Sequence, residues 1–371
     1  MSRPDDPVVV AALRSPIGTA GRALRDLGAA QLAAPVLAAV ADGLSPGEVV
    51  LGNCMGPGGD VARVATLAAG LGYDVPALTV DRQCASGLAA IDVAAAIVRQ
   101  RGEVVLAGGT ESASTAPWRF WPPEPGGEPV RYERAPFAPA ELGDPDMGLA
   151  ADLLAEEHGI GRSRQDGYAA RSHQRAWAAT EEGLLDAELV PVGGLARDER
   201  PRKQMTADRL ARLPATFRTG GTVTAGNSCG VNDGAAVVAL APASAGLPGL
   251  RVLATATAGV DPNRPGRGLV PATRLALDRA GLHLGDLDVV ELNEAFAGQV
   301  LACCDELGLE EERVCPQGGA LALGHPWGAS GAVLVVRLFS QLVRQGRGRY
   351  GLAAIAAGGG QGVAMVVEAC P

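Results

Sequence analysis

At 371 residues, 47% of them hydrophobic, the chain is too long for one ordinary core and predicts two packed units of ~100 to 200 residues each. A formal net charge of -9, from 32 Lys and Arg against 41 Asp and Glu, excludes a surface built for nucleic acid or an anionic membrane. Any acidic ligand must therefore meet a local basic patch. No run of about 18 apolar residues occurs, and residues 1–15 hold no long apolar stretch before a small-residue cleavage site, which predicts a soluble, cytoplasmic protein. Seven cysteines, an odd number without a secretory signal, predict free thiols. Cys303 and Cys304 are adjacent, with no second pair and no His at ligand spacing, so no metal site is expected.

In chain order, the apolar run 8–13 predicts a strand and the Ala-rich stretch 31–41 a helix. A strand at 48–51, a helix at 86–100 and a strand at 104–107 follow. From 119 to 218 the chain changes character. Pro, Gly, Glu and Arg cluster at 121–145, helices are predicted at 148–158 and 165–182, and a charged run covers 197–203. This is a loop-rich insertion of the kind that covers active sites. Beyond it lie a helix at 272–281, a strand at 287–291, a helix at 330–345 and a strand at 352–357. The last strand runs into Gly358-Gly359-Gly360-Gln361-Gly362. Strands apolar on both faces, alternating with helices, define an α/β layered architecture.

The two ends of the chain repeat one order of landmarks. Val49-Val50-Leu51-Gly52-Asn53 is followed by Ala85-Ser86-Gly87, a helix, a strand and Ala107-Gly108-Gly109. Val289-Val290-Glu291-Leu292-Asn293 is followed by Ala329-Ser330-Gly331, a helix, a strand and Ala357-Gly358-Gly359. This reads as an internal duplication into two related βα halves.

Reactive side chains stand at similar points of those halves. Cys84 directly precedes the first Ala-Ser-Gly, and His325, in Gly324-His325-Pro326, stands four residues ahead of the second. A thiol at the first turn of a helix, with an imidazole beside it, is expected to fall from a pKa of ~8.5 into the range ~3.5 to 7.5. The alternative is an inert core cysteine. His325 sits on a rigid Gly-His-Pro turn, where function is commoner than packing. Asn293 ends an apolar strand, where its amide either orients a water or an oxyanion, or caps the next helix. The glycine run permits close backbone approach and an N–H to a thioester oxygen, but lacks the spacing of a dinucleotide fingerprint.

With these groups on one chain, the sequence resembles the thiolase superfamily over essentially its whole length. The matching stretches are Cys84-Ala85-Ser86-Gly87, Ala107-Gly108-Gly109-Thr110-Glu111-Ser112, Gly221-Thr222-Val223-Thr224-Ala225-Gly226-Asn227, Asn293-Glu294-Ala295-Phe296, Gly318-Gly319-Ala320 with Gly324-His325-Pro326, and Gly358-Gly359-Gly360. The resemblance implies a duplicated thiolase fold of five αβαβα layers. Its halves are 1–118 with 219–246, and 247–371, and residues 119–218 form a loop domain over a channel for a CoA thioester. It implies that Cys84 takes the acyl group, that His325 activates it, and that Asn293 positions a water in one oxyanion hole. The backbone N–H groups of Cys84 and Gly358 form the other. Arg202 is implied as a contact for the nucleotide end of CoA, a solvated surface Arg being the alternative, and Ser228 and Cys229 lie along the pantetheine. No permanently bound cofactor is implied; an acyl-CoA or acyl-carrier thioester is the substrate, and a homodimer the usual assembly.

One departure matters most. The family's second cysteine, the acid/base two residues before the glycine run, is Ala356 here. General acid/base catalysis is worth ~10² to 10⁴ in rate, so the expectation is a thiolase-like acyltransferase with an atypical Claisen step. A thioesterase, a heteroatom acyltransferase and a non-catalytic acyl-CoA-binding subunit are the alternatives. Asp146 also stands where the biosynthetic branch has His, and Cys370 lies too far along its strand to substitute.

Overall fold

β1 (Pro7–Arg14) opens the computed structural model, which describes residues 4–370. There follow β2 (Gly18–Thr19), α1 (Ala29–Val40), β3 (Pro46–Gly52), α2 (Val61–Ala68), β4 (Ala77–Val80), α3 (Ser86–Arg101) and β5 (Val104–Ser112). A long excursion carries β6 (Arg119–Trp121), β7 (Val130–Tyr132), α4 (Met147–Glu157), α5 (Arg162–Glu181) and α6 (Ala207–Leu210) before β8 (Asn232–Pro242) rejoins the sheet. The second half runs β9 (Gly249–Gly259), α7 (Leu269–Ala280), β10 (Val289–Leu292), α8 (Ala297–Leu307), α9 (Ala320–Leu323), α10 (Trp327–Phe339), β11 (Tyr350–Ala357) and β12 (Gln361–Cys370).

The pairing pattern repeats, as the landmarks do. β3 is parallel to β5, β5 antiparallel to β8, and β8 antiparallel to β1. Likewise β10 is parallel to β11, β11 antiparallel to β12, and β12 antiparallel to β9. Each half even carries its bulge in the equivalent pair, at Val9/Ala11 in one and Val366/Val367 in the other. Among the described residues the half-sheets meet where Val8 and Val9 pair with Arg251 and Leu250, giving the order β10-β11-β12-β9-β1-β8-β5-β3-β4 with β2 on β8.

Three apolar cores separate five layers. One lies under α1 and α2, one under α7 and α8, and the central one surrounds α3 and α10 between the half-sheets. α10 is buried on every side from Gly328 to Phe339, as expected of a helix apolar all round.

Within that core sits a cluster of charges. Arg14 Nε donates to Glu188 Oε1 at 2.8 Å, and Arg337 Nη1 to Glu188 Oε2 at 2.5 Å; all three side chains are fully buried. Arg14 also forks onto Asp198 at 2.7 and 2.8 Å. Glu188 belongs to the excursion, Arg14 to β1 and Arg337 to α10, so the pair of salt bridges ties three parts of the chain. The two arginines hold the Glu188 carboxyl below its ordinary range despite burial. Removing one partner of a buried pair leaves the other uncompensated, at about 3–5 kcal/mol. Glu188→Ala is therefore expected to lower the unfolding free energy by about that much, read from the denaturant midpoint.

Among the described residues no helix is long and apolar enough to cross a membrane, and no group of three or more His, Cys, Asp or Glu is placed to hold a metal ion.

Candidate active site

A strained turn presents Cys84. Gln83, not a glycine, takes φ +48°, a conformation that costs of order 1 kcal/mol or more unless its surroundings enforce it. They do: the Gln83 carbonyl accepts from Ser86 N at 3.0 Å, Ser86 Oγ at 2.6 Å and Cys54 Sγ at 2.9 Å, and Asp81 Oδ1 accepts from Gln83 N at 2.8 Å. α3 begins at Ser86, so Cys84 lies before the helix rather than in its first turn. The two N–H groups that follow Cys84 are already used, Ala85 N on Arg82 O and Ser86 N on Gln83 O. Cys84 Sγ makes no hydrogen bond among the described residues. Burial, and next the charge of Cys229, push its thiol up to about 12. The expectation of a thiolate at rest is corrected accordingly: the helix end sits too far along, and His325 does not hydrogen-bond the sulfur.

The duplicated Ala-Ser-Gly triplets explain how the two halves dock. A Cβ on Gly87 would stand 2.8 Å from Gly328 O and 2.9 Å from Ala332 N; one on Gly331 would stand 2.5 Å from Leu88 N. α3 and α10 therefore cross backbone to backbone at two glycines. Glu111, buried at the end of β5, locks the crossing. Its carboxylate accepts from Gly328 N at 3.0 Å on one side, and from Cys54 N, Met55 N and Asn53 Nδ2 at 3.0–3.1 Å on the other.

The His325 turn is fixed from behind, where Asn232 Oδ1 accepts from His325 N at 3.0 Å. Ser330 Oγ lies 2.6 Å from His325 Nδ1 and 3.0 Å from the Pro326 carbonyl, so Nδ1 is engaged at the start of α10 and Nε2 is the nitrogen turned toward Asn293. Burial pushes the imidazole down to about 4, keeping it neutral. Asn293 Nδ2 lies 3.4 Å from that Nε2, while Asn293 Oδ1 is buried without a partner. The next helix, α8, takes Phe296 as its cap, so Asn293 is not a capping residue. Glu294 anchors the loop beneath, accepting from Tyr168 Oη at 2.9 Å, Ser172 Oγ at 2.7 Å and Leu321 N at 3.1 Å.

Cys84, Asn293 and Ala356 line one small cavity. A channel of about 370 Å³ opens onto the same sulfur, with Cys54, Ser228, Cys229 and Gly358 in its wall. A Cβ at Gly358 would meet the Phe137 ring at 2.6 Å, which is why glycine stands there. Ser228 spends its hydroxyl on Thr224 O at 2.7 Å. His325 lies one hydrogen bond behind Asn293. Arg202 lies elsewhere, in a groove of about 830 Å³ with Arg200, Lys203, Arg209 and His173. None of these four cations forms an ion pair among the described residues, so the acidic chain does hold a local basic patch. The run before it is positioned by its acids, Asp198 accepting from Ile17 N at 2.8 Å and Glu199 from Thr19 N at 2.7 Å. Sequence reasoning does not single out Ser330 or Glu111 as working residues, although both lie in the landmarks; what they bond to is invisible without the helix crossing.

The fold and this constellation define a duplicated α/β acyltransferase. The chain matches the family Thiolase, N-terminal domain, over residues 7–244, and Thiolase, C-terminal domain, over 248–369. An acetyl-CoA acetyltransferase of Pseudomonas aeruginosa is 42% identical, covering 98% of this chain and 99% of its own. A β-ketoadipyl-CoA thiolase of the same species is 43% identical over 96% and 97%. Among solved structures, human mitochondrial 3-ketoacyl-CoA thiolase in complex with CoA superposes with a TM-score of 0.92 at 35% identity, covering 99% and 98%. The Bacillus anthracis acetyl-CoA acetyltransferase does so at 0.90 and 39%, over 98% and 99%. The chain belongs to the thiolase family.

Proposed function

We propose that this protein transfers acyl groups from CoA thioesters through an acyl-enzyme on Cys84, and makes or breaks a carbon-carbon bond by Claisen chemistry. His325 Nε2 takes the Cys84 proton as the sulfur attacks the thioester carbonyl, then returns it to the departing CoA thiolate. Asn293 Oδ1, an acceptor with no partner, holds a water whose proton faces the developing oxyanion; the N–H groups of Cys84 and Gly358 face the other position such an oxygen takes. Residues 119–218 act as the loop domain over the channel, where Ser228 and Cys229 run beside the pantetheine. Arg202, with Lys203 and Arg209 beside it, receives the CoA phosphates. Ala356 leaves the wall of the Cys84 cavity without an ionisable group, which sets the carbon-carbon step apart from acyl transfer.

The observation that carries this reading is the placement of His325, whose Nδ1 is engaged by Ser330 at 2.6 Å while Nε2 lies 3.4 Å from Asn293, a residue that lines the Cys84 cavity. Intact-protein mass after mixing with acetyl-CoA tests it: an acetyl adduct, mapped to Cys84, is expected. Tight acetyl-CoA binding with no adduct would leave a binding subunit instead. Release of CoA from acetyl-CoA without any condensed product would leave a thioesterase.

A further inference from the structure

A Claisen step, in either direction, moves a proton at the carbon next to a thioester, and such a proton does not leave unaided. The channel onto Cys84 offers few groups for that task. Glu133 and Asp146 are solvent-exposed, and Asp146 Oδ1 is occupied in accepting from Gly148 N and Leu149 N at the start of α4. Arg134 is paired with Asp144 at 2.7 Å. Cys54 Sγ is committed to the Gln83 carbonyl at 2.9 Å. Cys229 alone remains, a thiol in the channel wall with no hydrogen bond to its sulfur among the described residues.

Its backbone is stitched to both catalytic loops. Cys229 N donates to Ala295 O at 2.9 Å and Ser228 bridges to Phe296, which fixes it beside the loop that follows Asn293. Val231, two residues on, bridges to His325, and Asn232 holds the His325 N–H. Behind it stands Arg200, whose guanidinium packs directly over Gly230. Arg200 has no ion pair and no hydrogen bond among the described residues, and its Nε is buried without a partner. An unpaired, largely buried guanidinium against a thiol is a counter-ion for the thiolate that the thiol forms on turnover.

We propose that Cys229, with Arg200 behind it, is the acid/base residue of the carbon-carbon step, in place of any group at Ala356. This rests on the acyl-enzyme reading above. In thiolysis of a 3-oxoacyl-CoA, the Cys84 proton passes to His325, the sulfur attacks the 3-carbonyl, and the C2–C3 bond breaks. The departing C2 carbanion takes the Cys229 S–H proton and leaves as acetyl-CoA. Arg200 faces the Cys229 thiolate so formed. That thiolate removes the S–H proton of incoming CoA, whose sulfur attacks the acyl carbon; the Cys84 C–S bond breaks and His325 returns the proton to Cys84. Synthesis is the same sequence reversed. Both thiols are neutral at rest, in keeping with burial pushing Cys229, like Cys84, up to about 12 while Arg200 pulls it down.

The test compares the parent with Cys229→Ala, Cys229→Ser, Arg200→Gln and Cys229→Ala/Ala356→Cys. Three readouts are taken: acetylation of Cys84 by acetyl-CoA, exchange of the acetyl-CoA methyl protons in D₂O, and thiolysis of acetoacetyl-CoA. At saturating acetyl-CoA, Cys229→Ala is expected still to form the acetyl adduct on Cys84, any loss of pantetheine contact appearing in KM, but to lose exchange and to lose ~10² to 10⁴ in kcat of thiolysis. Cys229→Ser keeps the shape of the wall and is expected to fail in the same two assays, and Arg200→Gln to fall in both while still acetylating. Adding Ala356→Cys to Cys229→Ala restores exchange. Thiolysis and exchange within about twofold of parental in both Cys229 variants would overturn the proposal, as would a parent that acetylates Cys84 yet neither exchanges nor thiolyses. A parent with no acetyl adduct on Cys84 would instead overturn the acyl-enzyme reading itself.

Discussion

Cys84→Ala is expected to abolish acyl transfer while leaving the fold intact. The side chain is half-buried at the edge of the central core and unbonded at sulfur, and the substitution removes one atom, so the packing lost is small. What disappears is the atom proposed to carry the acyl group. Deleting a nucleophile from a site that otherwise remains costs on the order of 10⁴ to 10⁶ in turnover, with the residue of activity due to binding and oxyanion stabilisation. The check is a pair of measurements on the same sample: loss of the acetyl adduct by intact mass, and retention of acetyl-CoA binding by titration calorimetry. An adduct persisting in Cys84→Ala would move the nucleophile to another thiol, with Cys54 and Cys229 the neighbours in the channel.

His325→Ala is expected to lower the rate of Cys84 acetylation by ~10² to 10⁴, the range for a positioned general base. Here the effect should approach the upper end. The Cys84 thiol is held at about 12, so a spontaneous thiolate is scarce at neutral pH and the base must act as attack occurs. The pH profile carries the sign. Burial lowers His325 from the ordinary 6.5 of an imidazole to about 4, so its free-base form persists down to about pH 4. The acid limb of kcat/KM for acetylation is expected near pH 4 and not near 6.5. Stability moves the same way: between those values the unfolded chain binds the proton and the folded one does not, so the contribution is intact above 6.5 and is lost as pH falls toward 4. Ser330→Ala removes the hydroxyl held 2.6 Å from Nδ1, and should slow acetylation and move that limb, without removing the base.

Much of this site was legible in the chain before any coordinates. Cys84, His325 and Asn293 stand out because reactive side chains sit at matched points of a repeated order of glycines and short apolar runs, and the helices at 86–100 and 330–345 carry a long apolar signal. β8, β9 and β12 are not among the expected strands, although β8 and β12 hold apolar runs at 235–241 and 363–367. β9 reads Gly-Leu-Arg-Val-Leu-Ala-Thr-Ala-Thr-Ala-Gly, small residues with weak strand preference whose place is fixed by neighbours on both edges. The ionisation state of Cys84 is not legible in the chain: the helix start at 86 is, but the thiol stands two residues before it, off the first turn, and nothing in the sequence reports how deeply the sulfur is buried. Ser330 is the instructive case: it is visible as a landmark, yet its work depends on a carbonyl four residues back and a ring five residues back, which only the turn into α10 brings together.

The glycine crossing of α3 and α10 bears on how a doubled ancestor came to work as one catalyst. Neither copy holds a complete set of reacting groups: the front half owns the sulfur, the rear half the imidazole and the amide. Since bare backbone is what lets the copies touch, even a methyl group at Gly87 or Gly331 would pry the partners apart. The proposed reaction centre is thus a property of the seam, and neither half holds it alone.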